Sequence, residues 1–224
     1  MSLLFQNSLV ALGLLLEASL VFLIVRERAV RAYPVLFAYA VGQFVANIAE
    51  TLVLYRLGRR SSAYSAVYWT DEMLLDTLLF LTVITLTYKA LADKPNREAT
   101  GRLLGIIVVV VLTLPFVLFY ARGLFTNPWF TGAGQVLHFG AAIMNLALWT
   151  ALIGMRPRDT RLLIVSAGVG LAATGAALFY GVFQYASGPL RQIVDLMLSS
   201  TQLLAILICC WAFWATTSRR VPTS

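Results

Sequence analysis

A chain of 224 residues that is 60% hydrophobic, only 12% charged and has a mean hydropathy of +0.82 is not built like a water-soluble domain, where about a quarter of residues carry charge. Its net charge of +7 does not imply nucleic acid either, because the basic residues are scattered over separate loops and form no stripe. The composition calls instead for a lipid bilayer as the chain's surroundings.

Runs of about 20 apolar residues read as membrane-spanning helices. In chain order they lie near Leu3–Val25, Pro34–Tyr55, Ala66–Tyr88, Leu103–Ala121, Thr131–Gly154, Leu162–Tyr185 and Leu190–Thr216. The expected fold is an all-α integral membrane protein, one seven-helix membrane domain over residues 1–224. The first run has no basic region before it and holds Glu17 in its interior, so it reads as a span rather than a signal peptide. Pro34 opens the second, where a missing N–H costs nothing. Pro115 lies inside the fourth and predicts a kink there. Asn127–Pro128 reads as a turn, which puts Trp129 at the membrane interface. The sixth span is built of small residues. Ser166, Gly170 and Thr174 recur every four positions, as do Gly168, Ala172 and Ala176, which predicts tight docking between helices. Gly188–Pro189 breaks the chain before the seventh span. Cys209 and Cys210, adjacent near its end, read as soft core residues, with acylation the alternative.

Orientation follows from the loop charges. Arg26, Arg28, Arg31, Lys89, Lys94, Arg97, Arg102, Arg156, Arg158, Arg161, Arg219 and Arg220 fall on one side, and Arg56, Arg59, Arg60, Arg122 and Arg191 on the other. Twelve against five sets the N-terminus outside, the C-terminus in the cytoplasm, and the chain as a multi-pass protein of a bacterial inner membrane.

Polar residues recur at helical spacing, as inward-facing stripes do. The first span offers Gln6, Gly13 and Glu17; the second Gln43, Asn47 and Glu50; the third Tyr68, Glu72 and Asp76. The fifth offers Gln135, His138 and Asn145, and the seventh Gln192, Asp195, Ser199 and Gln202. Counted from the span ends, Glu50, Glu72, Asp76, Gln135, His138 and Asp195 share the outer half. Glu17 stands alone past the middle, as a step on a proton path or as a protonated acid bonding a neighbouring helix. A charge at mid-membrane costs about 2.5–3.5 kcal/mol or more. No Lys or Arg lies deep in a span, so these acids require protons, hydration or a bound cation.

Two comparisons narrow the chemistry. Asp195-Leu-Met-Leu-Ser199 resembles the Asp-x-x-x-Lys of the retinal helix in microbial rhodopsins, with Ser199 where the lysine would be. No retinal is expected, since the seventh span has no lysine. Seven-span hydrolases similar to alkaline ceramidases hold zinc with several histidines, whereas this chain has only His138, and no metal is expected. The stretch Tyr64-Ser-Ala-Val-Tyr68-Trp69-Thr-Asp-Glu72, with Tyr33–Pro34 and Phe37-Ala-Tyr39, resembles an uncharacterised seven-span family of Acidobacteria-like bacteria over residues 30 to 105. Thr85 and Thr87 stand where that family carries another acid. The resemblance brings no activity, but it singles out Tyr68, Trp69 and Glu72 as a unit.

No nucleophile–base pair or metal-ligand spacing points to an enzyme. The expected function is a non-enzymatic receptor, sensor or complex subunit, in which Asn47, Glu50, Tyr68, Glu72, Asp76, Gln135, His138 and Asp195 line an acid-rich outer pocket for a small cationic or polar ligand. A membrane or cytoplasmic protein would be its partner. A proton- or cation-coupled transporter or channel is the alternative, with Glu17 continuing the path.

Overall fold

The computed structural model describes residues 3–58, 61–91, 97–153, 159–183 and 187–218. Arg59, Arg60, Lys94, Arg156, Arg158, Arg219, Arg220 and Tyr185, and the side chain of Gln6, lie outside the described residues. Seven α-helices run through the described residues: α1 (Leu3–Arg26), α2 (Pro34–Leu57), α3 (Ser62–Ala90), α4 (Arg97–Leu118), α5 (Asn127–Ile153), α6 (Thr160–Phe183) and α7 (Pro189–Ser218). All seven are long and apolar enough to cross a membrane, which makes this a multi-pass membrane protein.

Helix starts follow local chemistry more than hydropathy. The Ser61 hydroxyl accepts from the Tyr64 N–H at 3.1 Å, so α3 begins four residues before the apolar run. Asp159 caps α6 by accepting from the Leu162 N–H at 3.1 Å. Asn127–Pro128 is no turn: it forms the first residues of α5, where proline is tolerated, and the Phe130 N–H already bonds the Thr126 carbonyl at 2.9 Å. Pro115 lies near the end of α4, which stops at Leu118 and gives way to a short 3₁₀ turn, Tyr120–Arg122.

Helices α1, α2, α3, α5, α6 and α7 close a ring in which each touches the next and α7 returns to α1. α3 also reaches across to α6, while α4 packs outside, against α3 and α5. The exposed face of α4 is a row of apolar side chains (Leu103, Ile106, Val110, Val117) suited to lipid. Trp129 does not face outward. It is 1% exposed, enclosed by Phe116, Phe125 and Phe130 at ring-centroid distances of 5.1–5.2 Å, because α5 starts early enough to turn it inward.

The two ends of the bundle are packed differently. The end carrying the α1–α2 and α5–α6 connections, here called the C-terminal face, is densely packed. Leu20, Ile24, Leu36, Phe80, Val83, Leu148, Val165 and Phe213 are all buried there. Charged and aromatic side chains knit its rim: the Tyr33 ring meets Phe213 edge-on at 5.7 Å and carries the Lys89 ammonium 3.6 Å from its centre, and Arg161 bonds Glu27 at 3.4 Å. Burial pushes the Tyr33 phenol up to about 12, with Asp159 adding to the effect, so the ring stays neutral beneath its cation. The opposite, N-terminal face holds the α2–α3 and α6–α7 connections and a cavity.

α6 is the tightest element, as its small residues predict. A methyl group on Gly168 would stand 2.8 Å from the Ala205 carbonyl and 2.6 Å from the Cys209 sulfur of α7. Both cysteines are buried and free, as core residues, and the Cys210 thiol reaches the Leu16 carbonyl of α1 at 3.6 Å. Thr174, by contrast, faces outward. Gly168→Ala is expected to lower the melting temperature of the solubilised protein, with about 1–3 kcal/mol of overpacking behind it. Gly105→Ala on α4, whose added methyl meets nothing within 4 Å, should leave the melting temperature unchanged or higher. Parallel thermal-unfolding curves decide the matter; equal melting temperatures would show that α6 has room to spare.

Candidate functional site

A cavity of about 340 Å³ opens inside the ring on its N-terminal side. That is the size of a small-ligand site. Six helices line it, and each contributes by helical periodicity. α2 presents Tyr39, Gln43, Asn47 and Glu50, spaced four, four and three apart; α3 presents Tyr68, Glu72 and Asp76 at intervals of four. α1 adds Val10, Gly13 and Glu17, α5 adds His138, α6 adds Ala176 and Tyr180, and α7 adds Ser199, Gln202 and Leu203. α4 contributes nothing.

The polar groups are not evenly satisfied. The Asn47 amide donates to Glu17 Oε1 at 2.6 Å, while Glu17 Oε2 is buried with no partner, on a residue 2% exposed. His138 Nε2 lies 2.9 Å from Asp76 Oδ1, close enough for an ion pair but without hydrogen-bond alignment, and His138 Nδ1 also lacks a partner. The imidazole stacks on the Tyr180 ring at 5.3 Å and 17°. Asp76 can lie this close to α5 because Gly134 faces it: an added Cβ would come within 2.7 Å of Asp76 Oδ2. At the floor, the Gln202 amide donates to the Tyr39 hydroxyl at 2.9 Å, tying α7 to α2.

Electrostatically the cavity is one-sided. Four carboxyl groups line it (Glu17, Glu50, Glu72 and Asp76), the single base is His138, and no Lys or Arg is among the described lining residues. An uncompensated buried charge costs several kcal/mol even after relaxation. The site can therefore hold protons, a cation, or both.

Of the residues the sequence singled out, Asn47, Glu50, Tyr68, Glu72, Asp76 and His138 come together here. Glu17 joins them, which corrects its solitary placement: depth counted along each helix separately ignores how α1 sits against α2, and that packing brings Glu17 beside Asn47. Gln135 does not line the cavity. The side of α5 that meets Asp76 of α3 carries Gly134 and His138, and Gln135 stands off it, half-buried. Asp195 is also outside the lining. It lies one turn nearer the N-terminal face than Ser199, where α7 is loosely packed, and its side chain is exposed. Trp69 turns away from the cavity and stacks on Phe130 of α5 at 5.5 Å, so within the Tyr68–Trp69–Glu72 unit it holds α3 to α5 while the other two face inward. Sequence reasoning missed Tyr39 and Tyr180. Each was within reach, since Tyr39 extends the Gln43–Asn47 stripe by one step and Tyr180 extends Gly168–Ala172–Ala176 by one.

No family model, no curated protein and no solved structure matches this chain.

Proposed function

We propose that this protein is a non-enzymatic membrane receptor or sensor whose cavity binds a small cation. One observation carries the reading: a buried, unpartnered Glu17 oxygen stands in a cavity that gathers four carboxyl groups and, among the described residues, no Lys or Arg. A bound cation offsets the desolvation of those acids by Coulomb attraction, which strengthens where water is excluded. Tyr39, Tyr68 and Tyr180 beside the acids supply rings on which an ammonium group is stabilised. The three rings favour an organic cation over a bare metal ion.

The floor supports a binding site over a conduit. Below the Tyr39–Gln202 bond the bundle is filled by buried apolar side chains, including Leu36, Val83 and Val165. With the N-terminus outside, as the loop charges indicate, the cavity lies in the outer half of a bacterial cytoplasmic membrane, and a partner protein reads the basic inner loops.

Two measurements test this. Tetramethylammonium should bind the protein in dodecyl maltoside micelles by calorimetry. Glu17→Gln and Glu72→Gln should each weaken it about tenfold, and Asp195→Asn should change it less than about twofold. Binding indifferent to the first two variants would end the cation reading. For orientation, a membrane-impermeant maleimide applied to intact cells should label Ser61→Cys but not Arg97→Cys, in a Cys209→Ala/Cys210→Ala background. The reverse pattern would invert the bundle.

A further inference from the structure

The cavity has a mouth, and it lies sideways. Of the residues lining it, only Val10 and Ser199 are exposed, Val10 by 47%, and they stand on α1 and α7, two helices that neighbour each other. Both helices are loosely packed on the cavity side and tightly packed beyond it. From Ser8 to Leu16 no side chain of α1 is buried, whereas Glu17, Leu20 and Ile24 are. From Leu190 to Leu204 of α7 only Val194 is buried, whereas Ala205, Ile206, Cys209 and Cys210 follow in quick succession. The seam between α1 and α7 is therefore shut on the C-terminal side and open beside the cavity.

The depth of this opening decides what can use it. Ser199 stands nine residues past Leu190, the start of the apolar part of α7, which places it about 13 Å along that helix. An opening at that level faces hydrocarbon. A chain leaving the cavity there meets Val10 and the cavity-lining Leu9, Leu198 and Leu203, all apolar. The inner end of the same space presents Glu17 with its free oxygen. One end of the space suits a positive charge and the other suits an alkyl chain.

We propose that the cavity is entered from the bilayer through the α1–α7 seam and takes a cationic amphiphile, its ammonium head among the carboxyl groups and its chain passing out between Val10 and Ser199 into lipid. This rests on the cation reading above and adds the chemical class of the ligand and its route. A chain that stays in hydrocarbon when the head binds loses little of its solvation, so the protein discriminates by head charge and by the presence of a chain at the mouth. Free ammonium compounds in water would bind more weakly than their alkylated counterparts already concentrated in the membrane.

The test compares tetramethylammonium with decyltrimethylammonium on the full chain in dodecyl maltoside micelles, by competition against one radiolabelled cation. The decyl compound should bind at least about tenfold more tightly. Val10→Trp and Ser199→Trp narrow the mouth, and each should weaken decyltrimethylammonium at least about fivefold more than tetramethylammonium. Equal affinity of the two cations for the wild-type protein overturns the proposal, and so does a loss that is the same for both cations in the two tryptophan variants. If neither cation binds the wild-type protein, the cation reading itself fails. If both bind but chain length makes no difference, that reading stands and the lateral route falls.

Discussion

Close approach of helix backbones to α6 governs the rest of this bundle. Gly168 leaves no space between α6 and the Ala205–Cys209 stretch of α7, and Gly170 does the same against Asn145 of α5. Lipid supplies no hydrophobic drive between helices, so such contacts, with van der Waals attraction at short range, hold a membrane bundle together. Once α5 and α7 are fixed on either side of α6, α3 is drawn across to it, and α3 brings Asp76 under Gly134 and beside His138. The dense half of the molecule thereby positions the side chains of the open half.

That open half carries an electrostatic debt. Inserting one charged side chain at the middle of a bilayer costs about 2.5–3.5 kcal/mol on insertion scales, and four carboxyl groups share this cavity. Only part of the demand is met within the protein. Asn47 donates to one oxygen of Glu17, and His138 lies against Asp76, both in geometries that leave a second polar atom without a partner. The described Lys and Arg side chains gather at the ends of the bundle, as at the Lys89–Tyr33 and Arg161–Glu27 contacts, and do not reach inward. Glu17 and Asp76 thus have polar neighbours on facing helices, and the fold collects all four acids around one cavity.

Much of this was legible in the amino-acid sequence, for reasons that differ by residue. The seven helices are visible because a bilayer demands long apolar runs. Their first turns were not, because Ser62–Ser65, Arg97–Arg102 and Asn127–Phe130 are polar or aromatic and their helicity depends on caps and tolerated prolines that hydropathy ignores. The stripes of α2 and α3 placed Asn47, Glu50, Glu72 and Asp76 correctly on one side of their helices, since period 3.6 is a local property. Relations between helices were beyond reach. Glu17 and Asn47 meet because α1 packs on α2 at a particular height, and Asp195 falls outside the lining because α7 loosens toward its start. Trp129 is a related case: an exposed tryptophan and an enclosed one in a helix's first turn occupy the same place in the sequence, and only the Phe116, Phe125 and Phe130 rings show that this one is enclosed.

The blind floor beneath Tyr39 and Gln202 has an electrical consequence. If the cavity opens into lipid, as proposed, the transmembrane voltage drops along its depth as well as across the apolar floor. Moving one elementary charge through the whole field is worth about 2.3 kcal/mol per 100 mV. A cation lodged partway, just above that floor, has crossed only a fraction of it, roughly 1 kcal/mol per 100 mV if the fraction is near one half. In a cell that keeps its interior negative, with the cavity in the outer half of the membrane as proposed, the resting potential would draw the ligand toward Glu17 and depolarisation would loosen it. Occupancy would then register the energetic state of the membrane as well as the concentration of the ligand.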